Sequence, residues 1–233
     1  IAQGYVEAGW QADDEYLRAL SSAEKATDVS AVQSCAATVY QPWADQSARA
    51  LQEVLGVGWP SPQSLAVDAG TCVLFCDGLR YDLARRLAAM LQGVGVSTEV
   101  EHRLAALPTL TPTGKPAATP VADALGSGPD FTPQVKSSGK AATADVLRSV
   151  MSASGFQMLG ASDWGDPSGR AWTEMGDIDT LGHSVEVKLV NQLENQLRLV
   201  ADRVRDLLAI GWTKVIVVTD HGWLLMPEKL PKV

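Results

Sequence analysis

Apolar positions recur at helical spacing near the start of the chain. They do so in Gln11 to Ala23, with Leu17 and Leu20, and in Pro42 to Leu55, with Trp43, Ala48, Leu51 and Val54. Gly56-Val57-Gly58-Trp59-Pro60 stops the second of these predicted helices, with glycine past its end and proline beyond. The stretch Trp59 to Gly70 reads as a connector. From Thr71 the pattern changes. The near-continuous apolar run Thr71 to Cys76 predicts a buried strand, and Leu79 to Leu91 predicts a helix with Leu83, Leu87, Met90 and Leu91 on one face. Gly93-Val94-Gly95 ends that helix, and Val96 to Val100 is a candidate second strand. Gly155 to Leu159 predicts another short strand. Val185 to Leu208 predicts a long amphipathic helix striped by Leu189, Leu193, Leu197, Val200, Val204 and Leu207, and Lys214 to Val218 a final strand.

Strand-helix-strand alternation of this kind predicts an α/β fold: a doubly wound, mostly parallel sheet flanked by helices, preceded by a helical lead-in. The expected division is 1–66 for the lead-in and connector and 67–233 for the core. Between the periodic segments, Pro108 to Pro133 and Asp163 to Ile178 are dense in loop-forming residues. Irregular stretches of that length inside a compact domain are often functional.

Composition changes the picture in three ways. A hydrophobic content of 46% suffices for a sizeable core, and no window is a long uninterrupted apolar run, so no membrane span is expected. A net charge of −8 and a pI near 4.9 argue against broad, salt-driven binding to nucleic acid, yet leave a phosphate-containing substrate open, because bound divalent ions invert the charge locally. The three cysteines, Cys35, Cys72 and Cys76, do not form a disulfide framework; buried free thiols in a reducing cytoplasm are expected.

Candidate chemistry lies where predicted strands end. Val215-Ile216-Val217-Val218 runs directly into Thr219-Asp220-His221-Gly222, and Val73-Leu74-Phe75-Cys76 runs into Asp77-Gly78. The carboxyl ends of strands are where open α/β sheets keep their ligands, and Asp and His are metal-ligand types. Gly222 permits a turn through which adjacent Asp220 and His221 could reach one ion. The plainer alternatives are an N-capping Asp beside a surface His, and a capping role for Asp77. Asp179 and His183 form a third candidate pair. Gly182 between them favours a turn, the alternative being a helix starting at Asp179 with His183 in solvent. Together these residues would supply most of a two-ion site, and mixed Asp/His ligation suits Zn, Mn or Fe better than Ca. Leu107-Pro108-Thr109-Leu110-Thr111-Pro112-Thr113-Gly114 offers three hydroxyl nucleophiles for such ions to activate, or is an ordinary Pro/Thr-rich loop.

Asp77-Gly78-Leu79-Arg80-Tyr81-Asp82, the Pro-Thr-x-Thr loop, Asp179-x-x-Gly-His183 and Thr219-Asp220-His221-Gly222 occur in that order. In order and residue type the set resembles the alkaline phosphatase superfamily. Within it the chain resembles the PglZ domain, a component of BREX-type bacterial phage-defence systems. The Tyr40-Gln41-Pro42-Trp43 helix start adds to the likeness, which covers roughly residues 36 to 226.

The resemblance implies an alkaline-phosphatase-like core and a cytoplasmic phosphoester hydrolase working with other components of a defence system. It implies two divalent ions, with Asp77, Asp220 and His221 holding the one beside the nucleophile and Asp179 and His183 holding the other. Thr111 matches the nucleophile position, ahead of Thr109 and Thr113; Arg80 and Lys115 are candidate phosphate contacts, the alternative for Arg80 being a pairing with Asp82 across the start of the helix. The superfamily completes its second site with a further His downstream, whereas this sequence ends twelve residues after His221. The expectation is either a chain cut short at its C-terminus, with that ligand missing, or a weak second site. The competing expectation is an assembly module that binds metal without turnover, with Trp10, Trp43 and Trp59 available for docking.

Overall fold

A computed structural model describes residues 2–55 and 63–226. Trp59 and the expected helix stop at Gly56 to Pro60 lie outside the described residues. The chain begins with a short helical turn that leads into α1 (Trp10–Ser22) and α2 (Ala26–Leu55). β1 (Thr71–Phe75), α3 (Tyr81–Gly93) and the short α4 (Thr111–Ala118) follow. A two-stranded ribbon, β2 (Leu125–Gly126) with β3 (Gln134–Val135), precedes α5 (Ala144–Ala153), β4 (Phe156–Met158) and β5 (Arg170–Glu174). The last elements are α6 (Ile178–Val185), α7 (Val190–Ala209) and β6 (Lys214–Val218).

The main sheet has the order β4-β5-β1-β6, and every pair in it is parallel. β1 sits between β5 and β6 and is buried along its whole length, as a parallel strand covered on both faces must be. Alternation sends Cys72, Leu74 and Cys76 to one face, where they join Leu17, Leu20 and Tyr40 of the lead-in, Leu83 and Leu87 of α3, and Leu193, Leu197 and Leu207 of α7. Val73 and Phe75 point the other way, onto Trp172 of β5, Leu147 and Met151 of α5, and Val121, Leu125 and Val135 of the middle segment. The lead-in helices thus share one apolar cluster with β1. All three cysteines are free, with Cys35 exposed and the other two buried. Trp10 and Trp43 are half-buried, and Trp43 packs against the same core. Among the described residues no helix is long and apolar enough to cross a membrane.

The structure corrects several sequence expectations. α2 begins at Ala26, so Pro42 is inside it and does not start it. Pro42 cannot donate to the carbonyl of Thr38, and both residues are exposed, where water can take the stranded acceptor. Residues 96–100 form no strand; their alternation is genuine, but β5 and β6 flank β1 instead. β5 itself falls in the stretch read as loop, because its five residues begin and end on charge and stand among Gly and Asp. α4 and α5 also interrupt apparently irregular sequence. α5 is capped by the Thr143 side chain, which accepts from the amide of Val146 at 3.5 Å, and buries Leu147 and Met151 one turn apart. The predicted long helix is preceded by α6 and a 3-10 turn over Glu186–Leu189, so helical structure begins at Ile178.

Candidate metal centre

Register builds the site. Phe75 pairs with Val218 on one side and Glu174 on the other, so three strands end level. Asp77 and Asp220 each lie two residues beyond that line, at the carboxyl rim of the sheet. There the two chain segments are stitched together. The amide of Leu79 donates to Thr219 Oγ1 at 3.0 Å, and the indole N–H of Trp223 donates to the carbonyl of Gly78 at 2.8 Å. Asp220 Oδ1 accepts from the amides of His221 at 3.0 Å and Gly78 at 3.5 Å. The other oxygen, Oδ2, is buried and has no hydrogen-bond partner.

His221 Nδ1 lies 3.0 Å from the carbonyl of Gly222. A carbonyl accepts only, so Nδ1 carries the proton and Nε2 presents a lone pair. Around Nε2 stand Thr111 Oγ1 at 3.0 Å, Asp77 Oδ1 at 3.4 Å and Asp220 Oδ2 at 3.6 Å. Asp77 Oδ1, like Asp220 Oδ2, is a buried oxygen without a hydrogen-bond partner. Buried polar atoms are almost always bonded, so two orphaned carboxylate oxygens facing one imidazole lone pair mark a place fitted to a cation. Asp179 joins them: donor atoms of Asp77, Asp179 and His221 lie within 4.8 Å of one another. Burial, then the charges of Asp220 and Asp179, push the Asp77 carboxyl up to about 6, against the pull of His221 and Lys115.

Two glycines permit these approaches. At Gly78, with φ +70°, an added Cβ would lie 3.2 Å from that of Asp179, so the turn after β1 can meet the start of α6. At Gly114 an added Cβ would come within 2.7 Å of the Asp220 carbonyl oxygen. α4 therefore lies directly on the turn after β6, and Thr111, its first residue, reaches His221. Of the other hydroxyls in that loop, Thr113 donates to the Phe131 carbonyl at 2.8 Å and Thr109 is exposed.

Lys115, one turn beyond Thr111, pairs with Glu174 at 2.7 Å and stands 4.6 Å over the Phe75 ring. Burial opposes the charge of Glu174, but bonds from Lys115 and Trp172 outweigh it and hold the carboxyl below its usual value. Glu174 was not recognisable from sequence, because its strand was not. Arg80 takes the alternative form, a pairing with Asp82, instead of that of an open phosphate contact. Its guanidinium donates to both oxygens of Asp82, at 2.9 and 3.0 Å, and to the Trp223 carbonyl at 3.1 Å, which commits it to the protein interior. His183 also differs. It lies one turn from Asp179 within α6, at 3.4 Å, but its side chain is 83% exposed and it stands outside the Asp77, Asp179 and His221 group. The helix start with a solvated His is thus the form the chain takes. A cavity of about 170 Å³ adjoins, lined by Asp179, Gly182, Leu189 and Trp223 among others.

Compared with protein-family models, curated proteins and solved structures, the chain finds no match in any of the three.

Proposed function

We propose that the chain is a metal-dependent phosphoester hydrolase of the PglZ type in the alkaline phosphatase superfamily, serving bacterial phage defence. The observation that carries the reading is the approach of the Thr111 hydroxyl to 3.0 Å from His221 Nε2, amid the orphaned oxygens of Asp77 and Asp220. Asp77, Asp220 and His221, with Asp179 beside them, would hold a divalent ion, Zn or Mn by donor type. A second ion would have Asp179, shared with the first, and the exposed His183, and would bind more weakly. Such ions acidify a hydroxyl and offset charge on phosphoryl oxygens.

Thr111 Oγ1, its proton passing to solvent, attacks phosphorus; its bond to phosphorus forms as the ester P–O bond breaks, and the departing oxygen takes a proton from water to leave as the alcohol. Lys115, kept in place by Glu174, faces the negative charge of the phosphoryl group. Water then attacks the phosphothreonine, restoring the hydroxyl and releasing phosphate from a monoester substrate or a phosphomonoester from a diester. The substrate is a phosphomonoester or phosphodiester, with nucleotides and nucleic acid among the candidates.

Hydrolysis of an aryl phosphomonoester and an aryl phosphodiester with added Mn or Zn tests the reading. Turnover that disappears in both Thr111→Ala and Asp220→Ala supports it, and turnover unchanged in both removes it. The exposure of His183 favours one second reading, a metal-binding assembly module of a defence complex without turnover. Metal binding with no hydrolysis of either ester, and stable association with partner subunits, would select that alternative.

A further inference from the structure

The segments that carry the ligand-type side chains are tied to each other by Arg80 and Trp223. Arg80 Nη1 donates to the Trp223 carbonyl at 3.1 Å, and its guanidinium carbon lies 4.5 Å from the centre of the indole ring. The same indole donates back to the Gly78 carbonyl at 2.8 Å, one residue from Asp77. Arg80 therefore braces the turn after β1 against the turn after β6, two residues beyond His221.

Arg80 is itself held from below. It is 5% exposed, with Asp82 bonded to two of its nitrogens and Asp13 of α1 at 3.6 Å. Asp13 accepts two phenol hydroxyls, from Tyr5 and from Tyr40 of α2, each at 2.5 Å. Burial, followed by the charge of Asp13, raises both phenols, so they remain donors. A continuous polar path thus runs from the lead-in helices through Asp13 to Arg80, Trp223 and Gly78. Polar networks of this kind are costly to bury half-satisfied, and this one ends at the cation centre.

We propose that Arg80 is a positioning residue for the cation centre and that it couples the N-terminal helices to that centre through Asp13. It acts on Trp223 and the two turns, not on the ion or the substrate. The proposal rests on Asp77, Asp220 and His221 being cation ligands. Partners of metal ligands that lie outside the ligand set typically change metal affinity by about 10- to 100-fold when altered.

The test titrates the full chain with Co2+ alone, reading its visible absorption band and its affinity. Arg80→Lys keeps the charge opposite Asp82 but loses the fork and the stacking. Trp223→Phe keeps a ring but loses the donor to Gly78. Both are expected to weaken Co2+ binding about 10-fold or more and to shift the band, with far-ultraviolet circular dichroism unchanged. Asp13→Asn should shift the band in the same direction by less. The control is Arg86→Lys, which alters an α1–α3 ion pair to Asp14 that does not reach either turn, and it should leave affinity within about twofold. Wild-type affinity and spectrum in both Arg80→Lys and Trp223→Phe would overturn the proposal, as would equal weakening in the control. If Arg80→Lys fails to fold, Trp223→Phe decides. If the wild-type chain binds no Co2+, the ligand assignment and this proposal fall together; if it binds and the variants match it, only this proposal falls.

Discussion

Thr111 and His221 are separated by 110 residues, and their side chains meet at 3.0 Å between Oγ1 and Nε2. The contact joins the first residue of α4 to the turn after β6. It depends on a helix lying closely enough on that turn for a hydroxyl to arrive beside two unpartnered carboxylate oxygens.

No neighbouring hydroxyl is placed to replace Thr111, since Thr113 is bonded to Phe131 and Thr109 is exposed. Thr111→Ala should therefore lower kcat for an aryl phosphoester by about a thousandfold or more. Thr111→Ser keeps the oxygen proposed as nucleophile and should stay within about tenfold of the wild type. Acid quench with a 32P-labelled ester should leave label on the wild-type chain and none on the alanine variant.

Gly114→Ala separates intrinsic preference from packing. In a helix interior Ala is favoured over Gly by about 1 kcal/mol. Here the new methyl would lie 2.7 Å from the Asp220 carbonyl oxygen, on backbone that cannot swing aside. Overpacking of this kind costs about 1–3 kcal/mol, so the variant should be less stable in urea unfolding despite its better propensity. Turnover should fall further than stability, because α4 must back away from His221.

Asp77 sets a pH dependence. Its carboxyl is raised to about 6 from an ordinary 3.8, first by burial and then by Asp220 and Asp179, so the metal-free fold holds this proton more tightly than the unfolded chain. Above about pH 6 the carboxylate is charged in both states, and the fold bears the full cost of crowding it with its neighbours. As pH falls from about 6 toward 3.8 the folded form protonates first and that cost is lifted. The side chain is 30% exposed, which screens the effect to about 1 kcal/mol or less. Asp77→Asn should accordingly raise the unfolding midpoint of metal-free protein at about pH 7.5, while abolishing its response to metal. In the wild type, metal affinity should fall steeply below about pH 6, where the ion competes with the proton.

Metal should stabilise the fold by mass action. At about 100 times its Kd, Mn or Zn should add about 2.7 kcal/mol in denaturant unfolding. His221→Ala should abolish most of that increment. His183→Ala should leave most of it, because His183 is solvated and pairs with Asp179 across one turn. Equal losses in the two variants would mean that both histidines hold the same ion.

The sequence disclosed the parts of the fold whose apolar pattern is unambiguous. β1 and β6 are apolar runs too short for helices, and the stripe of α7 repeats through Leu193, Leu197, Val200 and Val204, all buried. The ends of those strands exposed Asp77, Asp220 and His221. β5 was hidden because one strand of a parallel sheet can be brief and polar-ended when its neighbours supply the ladder. Residues 96–100 misled in the opposite sense, alternating like a strand without a ladder to join. The site was legible as residue types but not as partners. The Arg80–Asp82 pairing was open to reading because the two residues are neighbours. Nothing in the sequence gives Glu174 to Lys115 or brings Asp13 to Arg80, since each of those pairings depends on chain segments that only the tertiary fold brings together.

The level ending of β1, β5 and β6 makes the sheet a ruler with a shared zero. Adding or removing one residue within β1 or β6 would move its terminal carboxylate by about 3.3 Å and turn it to the opposite side. Length changes in this protein should therefore be tolerated in the exposed bends and be lethal to activity inside those two strands, even where the substituted sequence is equally apolar.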